Sequence, residues 1–199
     1  MPGANVVPTM TVASLARAAY REALGPLLVA AVGGLFAGLV LTGMEADLER
    51  TRGLLVLVPA LLATRGNVFG AFAARIASGL HQGLVGPELQ MDDERLQAAT
   101  AAASSNNLLA SGFAAVLTVL AMLALGQGVA PLWELLAIAL IAAFLSGLAL
   151  AAVVIGVMFL GFRRGIDPDT LVGPLVTTTG DVIGIAFLLL AVRIVVGGV

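Results

Sequence analysis

The chain of 199 residues contains no cysteine, a single histidine, a single tryptophan and a single tyrosine. Without cysteine there are no disulfides and no thiolate metal sites. With only His81 there is no histidine zinc cluster, and that lone histidine reads as an interfacial residue rather than a triad member. Charge is scarce as well: ten basic residues, all arginine, stand against twelve acidic ones, for a net charge of −2. That balance offers no basic footprint for nucleic acid. Only 11% of residues are charged, whereas 60% are apolar and the mean hydropathy is +1.07. Soluble domains average about 25% charged and about 45–50% apolar residues. One aqueous core could not absorb this surplus, so a soluble globular protein is excluded.

What is present instead is a series of long, predominantly apolar runs. A transmembrane helix needs about 20 apolar residues, and five runs satisfy this, at 23–44, 53–76, 108–126, 135–162 and 170–193. The reading is an all-α integral membrane protein with one five-helix transmembrane domain over 23–199, preceded by a short cytoplasmic or interfacial segment, 1–22. That segment has Pro2, Pro8, Arg17, Arg21 and Glu22 and no continuous apolar region, so it does not read as a signal peptide. Any soluble regulatory module is expected to come from another chain. Span three is placed after Ala98–Asn107 because that stretch is small and polar; Ser78–Asn107 then reads as the longest polar segment.

Arginine in short loops sets orientation. Arg17, Arg21, Arg75, Arg95, Arg163 and Arg164 fall on one side, and Arg50, Arg52 and Arg193 on the other. The expectation is a plasma-membrane protein with its N-terminus in the cytoplasm and its C-terminus outside. Asp92-Asp93-Glu94 reads as a solvated helix start, Asp167-Pro168-Asp169 as a cap of span five, Glu134 as the start of span four, and Trp133 and Tyr20 as interface anchors.

Two residues are not explained by lipid. Asp181 has eleven uncharged residues on either side, so it lies about 16 Å from each end of its span. A short carboxylate there cannot reach the interface and costs about 2.5–3.5 kcal/mol on insertion scales. It must face protein or water, as a cation ligand, a proton relay or a partner in an interhelical hydrogen-bond network. Pro174 removes a backbone donor one to two turns earlier, and Gly173, Thr177, Gly180 and Gly184 form a small-residue stripe with Thr178 beside it. Span two repeats this grammar, with Pro59 before Ala63-Thr64-Arg65-Gly66-Asn67 and Gly70 four residues after Gly66. Breaks are expected near Pro59–Gly66 and Pro174–Gly180, because freed carbonyls at membrane depth can coordinate cations. Asn67 offers an oxygen ligand or an interhelical hydrogen bond. Arg65 is open to Asp181, to Glu45 or Asp47, or to backbone carbonyls, and is expected to point away from a cation path.

Pro59–Gly70 followed by Ala74-Arg75-Ile76-Ala77-Ser78 resembles the second transmembrane helix of MgtE-type magnesium transporters. Asp167-Pro168, Gly173-Pro174-Leu175 and Thr177–Gly184 resemble that family's fifth helix, and the resemblance covers about residues 20–197 in the same five-span order. It implies a dimer, a homodimer or a heterodimer with a paralogous chain, with a central pore lined by helices two and five. The family's pore aspartate falls on Asp181, its backbone ligand one turn earlier on Thr177, and its Gly-Asn element on Gly66 and Asn67. The family's glycine-rich segment before Asn is here Ala63-Thr64-Arg65. The candidate metal contacts are Asp181, Asn67, Thr177, Gly66 and Ala63. The pore-lining or helix-break positions are Pro59, Gly70, Gly173, Pro174, Thr178, Gly180 and Gly184. The expected activity is divalent-cation transport, with Mg²⁺ as the transported ion and no resident cofactor. Alternatives are a proton-coupled carrier using Asp181 and a non-conducting subunit of a heteromeric transporter. An enzyme is disfavoured because the spans hold neither paired catalytic acids nor a His/Ser dyad.

Overall fold

The computed structural model describes residues 11–86, 92–165 and 168–197. Within α1 and in 168–175 some or all side chains also lie outside the described residues. The described residues form six helices: α1 Val12–Thr42, α2 Glu45–Arg50, α3 Leu54–His81, α4 Glu94–Ala124, α5 Leu132–Arg163 and α6 Pro168–Val196. Four stretches are long and apolar enough to cross a membrane: Leu54–His81, Glu94–Ala124, Leu132–Arg163 and Val176–Val196. The described apolar part of α1, Leu27–Thr42, is shorter. The protein is a multi-pass, all-helical membrane protein.

Two features differ from the sequence reading. The polar stretch Ala98–Asn107 lies inside α4, which starts at Glu94. The Asp93 carboxylate accepts hydrogen bonds from the N–H groups of Arg95 (2.8 Å) and Leu96 (3.2 Å) and so fixes that start. The alanines that follow are strong helix formers, and Leu96, Ala103 and Asn107 are buried. Within the run itself only Ala103 and Asn107 are buried, while Ala98, Ala101, Ser105 and Asn106 are exposed. The expected interruptions are also absent: helix is assigned without a gap through Pro59 and Gly66 in α3 and through Pro174 and Gly180 in α6. Pro59 is the sixth residue of α3 and its ring is exposed, so one internal hydrogen bond is lost near the helix start while the rest of the ladder continues. Tolerance of proline within membrane helices is general.

The helices alternate in direction. At one end the Ala130 N–H, between α4 and α5, donates to the Arg52 carbonyl before α3 at 2.9 Å. Gly53 there has φ +101°, a conformation open to glycine, and a Cβ would lie 3.1–3.2 Å from Val129 and Leu135. At the other end Arg95 Nη1 donates to the Leu84 carbonyl at 3.1 Å, and the His81 and Phe162 rings meet edge to face. The most hydrophobic helix, α5, packs against α3, α4 and α6, whereas α1 packs chiefly on α6. One apolar cluster, including Leu54, Leu57, Leu61, Ile138 and Leu188, fills the Arg52 end. Another, including Phe69, Phe72, Leu150, Met158 and Val176, fills the His81 end. Near the middle of the helices lie the polar side chains of Arg65, Asn107, Ser111 and Ser146, all buried.

Candidate cation site

Asp181 stands at the midpoint of α6 and is half-buried. Its neighbour one turn earlier on the same face, Thr177, is exposed, so hydroxyl and carboxylate share one edge of the helix. On α3 the residues Ala63, Gly66, Asn67 and Gly70 follow an i, i+3, i+4, i+7 stripe. Ala63 and Asn67 are exposed, and added Cβ atoms at Gly66 and Gly70 would meet nothing within 4 Å. The middle of α3 therefore carries a stripe of small residues and one amide in which Ala63 and Asn67 are exposed and Gly66 and Gly70 half-buried, with no described atom within 4 Å of a Cβ at either glycine. Pro59 continues this stripe toward the Arg52 end.

The small residues of α6 serve other contacts. A Cβ at Gly180 would reach Leu150 of α5 at 3.4 Å, and Thr178 lies against Gly33 of α1, where a Cβ would fall on its methyl group. Gly184 faces α3: a Cβ there would fall on Arg65 Nη1 and lie 2.9 Å from Arg65 Cζ. The stripe read from the sequence is thus divided among three neighbouring helices, and Thr177 alone of its described members is exposed. The side chains of Gly173, Pro174 and Asp169, and all of Asp167, lie outside the described residues.

Arg65 is seated between α3 and α6, only 2% exposed, with Nε and Nη1 hydrogen-bonded to nothing. Asp181 lies about one turn before Gly184 on the helix that receives this side chain. Among the described residues no three His, Asp or Glu side chains come together. Any cation here meets one carboxylate per chain, supplemented by amide, hydroxyl or carbonyl oxygens and water.

The structure adds residues that sequence reasoning passed over. Asn67 shares a cavity of about 230 Å³ with Arg75 of α3 and with Ala103 and Asn106 of α4. Asn107, next in sequence, turns inward instead: its Nδ2 donates to the Ala143 carbonyl of α5 at 2.8 Å. The signal for both was the Asn-Asn pair within an alanine-rich run, which helical periodicity sends to different faces.

Comparison with known proteins fits this architecture. Over 182 aligned residues the chain is 29% identical to solute carrier family 41 member 3 of Rattus norvegicus and 30% identical to the Mus musculus protein of the same name. Each alignment takes in 83% of this chain but only 36% and 34% of the relatives, so the chain spans about a third of their length. The profile of the MgtE family, described as divalent cation transporter, matches residues 58–191, from within α3 to within α6 and including Arg65, Asn67 and Asp181. The chain belongs to the MgtE family of divalent cation transporters.

Proposed function

We propose that the chain is one half of a dimeric pathway for divalent cations, with Mg²⁺ the expected ion, lined by α3 and α6 of each subunit. The observation that carries this reading is a half-buried carboxylate at the midpoint of a membrane helix, beside a helix whose middle is small, partly polar and partly exposed. A two-fold axis along that face would bring two Asp181 carboxylates to one pathway, and isologous dimers are the commonest closed assembly. Mg²⁺ dehydrates reluctantly and is usually held by one or two carboxylates with several waters retained. Asp181 is the charged ligand in this reading. Asn67, Thr177, Gly66 and Ala63 supply amide, hydroxyl or backbone oxygens to the ion or its water shell. α1 is the fifth span, completing an odd number of crossings with the N-terminus in the cytoplasm of a plasma-membrane protein. The arginine distribution, six against three, supports that orientation.

The test is Mg²⁺ flux into proteoliposomes of the purified chain alone. Asp181→Asn keeps size and removes charge, and it should abolish flux. Because it also removes the charge that faces Arg65, Asp181→Asn/Arg65→Gln serves as the folding control, neutralising both members of the pair. Wild-type flux through Asp181→Asn would refute the ligand role, and conduction by a monomer would refute the dimeric pathway.

A further inference from the structure

Among the described residues Arg65 is the largest fully buried side chain, and it lies near the middle of a membrane-spanning helix. A guanidinium at that depth is costly unless something compensates its charge. Its seat is specific. The backbone of α6 opens at Gly184, where a Cβ would fall on Nη1 and lie 3.3 Å from Leu62 Cδ2. Position 184 is three residues beyond Asp181, so the guanidinium rests about one turn along α6 from the carboxylate. Both bidentate geometries of a guanidinium use Nε or Nη1, and neither atom has a hydrogen-bond partner. The carboxylate is therefore not consumed by a closed fork and keeps acceptor positions for another cation.

Resting on the reading of Asp181 as ion ligand, we propose that Arg65 is a tethered counter-cation that limits how tightly the transported ion is held. In the empty pathway its charge balances the carboxylate in a low-dielectric setting. When a divalent ion reaches Asp181, two positive centres face one carboxylate and the ion is held less firmly. Conduction needs binding favourable enough for entry and weak enough for exit. Arg65 tunes that compromise from the side, since it is buried between helices and does not stand on the uncovered face of α3.

The experiment measures Mg²⁺ flux against concentration in proteoliposomes of the full chain. Arg65→Gln should lower the half-saturating Mg²⁺ concentration by about tenfold and lower the saturating flux, because repulsion between charges at neighbouring helix positions exceeds that scale even at an effective dielectric of 20. Arg65→Lys, which keeps the charge, should stay within roughly threefold of wild type. A purely structural role would reduce the amount of folded protein without moving the half-saturating concentration, and a folded Arg65→Gln protein with unchanged flux parameters overturns the proposal. If Arg65→Gln does not fold in divalent-free detergent, millimolar Mg²⁺ should restore the fold by supplying the missing positive charge; failure to restore it overturns the proposal equally. Asp181→Asn separates the two readings. Wild-type flux in that variant defeats the ligand role itself, whereas lost flux there with unchanged parameters in Arg65→Gln defeats only the counter-cation.

Discussion

Replacing Gly184 with alanine adds one methyl group at the point where α6 admits the Arg65 guanidinium. In an ordinary helix the change stabilises by up to about 1 kcal/mol, because glycine is a poor helix former. Here the new Cβ would coincide with Arg65 Nη1 and lie 2.9 Å from Cζ and 3.3 Å from Leu62 Cδ2. Overpacking of a close interface costs about 1–3 kcal/mol. Displacing the guanidinium also moves it away from the Asp181 charge, a loss below the roughly 3–5 kcal/mol of breaking a fully buried contact pair. Asp181 is only half-buried, so a smaller part of that loss applies. The expected net destabilisation is about 2 kcal/mol, equivalent to a fall of about 4–8 °C in Tm for a chain of this size. Far-UV circular dichroism during heating in mild detergent measures it. Gly66→Ala and Gly70→Ala are the controls: with nothing within 4 Å of either Cβ, both should leave the Tm unchanged or raise it, so any loss of dimer or flux in them reports on the uncovered face. Gly184→Ala combined with Arg65→Ala should cost clearly less than the sum of the two single changes, since truncation empties the contested space. Equal Tm values for Gly184→Ala and Gly66→Ala, or additivity within about 0.5 kcal/mol, would refute the reasoning.

Two further changes test the packing around this centre. Phe69 is fully buried, packs edge to face on Phe72 with centroids 6.2 Å apart, and reaches toward Gly147 of α5. Phe69→Ala should destabilise by about 2–3 kcal/mol, below the usual range for a soluble core, because unfolded helices also sit in lipid and mainly the cavity cost remains; a Tm within 2 °C of wild type, against the fall of roughly 4 °C or more expected, would contradict it. Asp93→Ala removes the acceptor for two N–H groups at the start of α4 and should cost about 1 kcal/mol. Hydrogen exchange should accelerate at Arg95 and Leu96 while the middle of α4 stays protected, and uniform acceleration along the helix would show that more than the cap was lost.

Hydropathy by itself settles the solvent. Long, predominantly apolar runs force helices across a bilayer because every backbone group must be hydrogen-bonded within its own segment. The same reasoning singles out Asp181, since a carboxylate about 16 Å from either end of its span cannot be reconciled with lipid. The cap at Asp93 was equally legible, being a local contact between a side chain and N–H groups two and three residues away. Composition misled where one residue type serves two purposes. The small polar run Ala98–Asn107 reads as loop, yet it lies inside a continuous helix that buries only Ala103 and Asn107 of it. Proline and glycine read as breaks, yet α3 and α6 continue through them. Only the tertiary structure decided which neighbour each small residue faces: Gly180 toward α5, Gly184 toward Arg65, and Gly66 and Gly70 toward no described atom within 4 Å. It alone placed the Arg65 guanidinium against Gly184 of α6. Periodicity assigns a residue to a face of its own helix, but what that face meets depends on how separate helices rotate and slide against one another, and such contacts join residues 30 positions apart (Gly180 and Leu150) and 119 positions apart (Gly184 and Arg65).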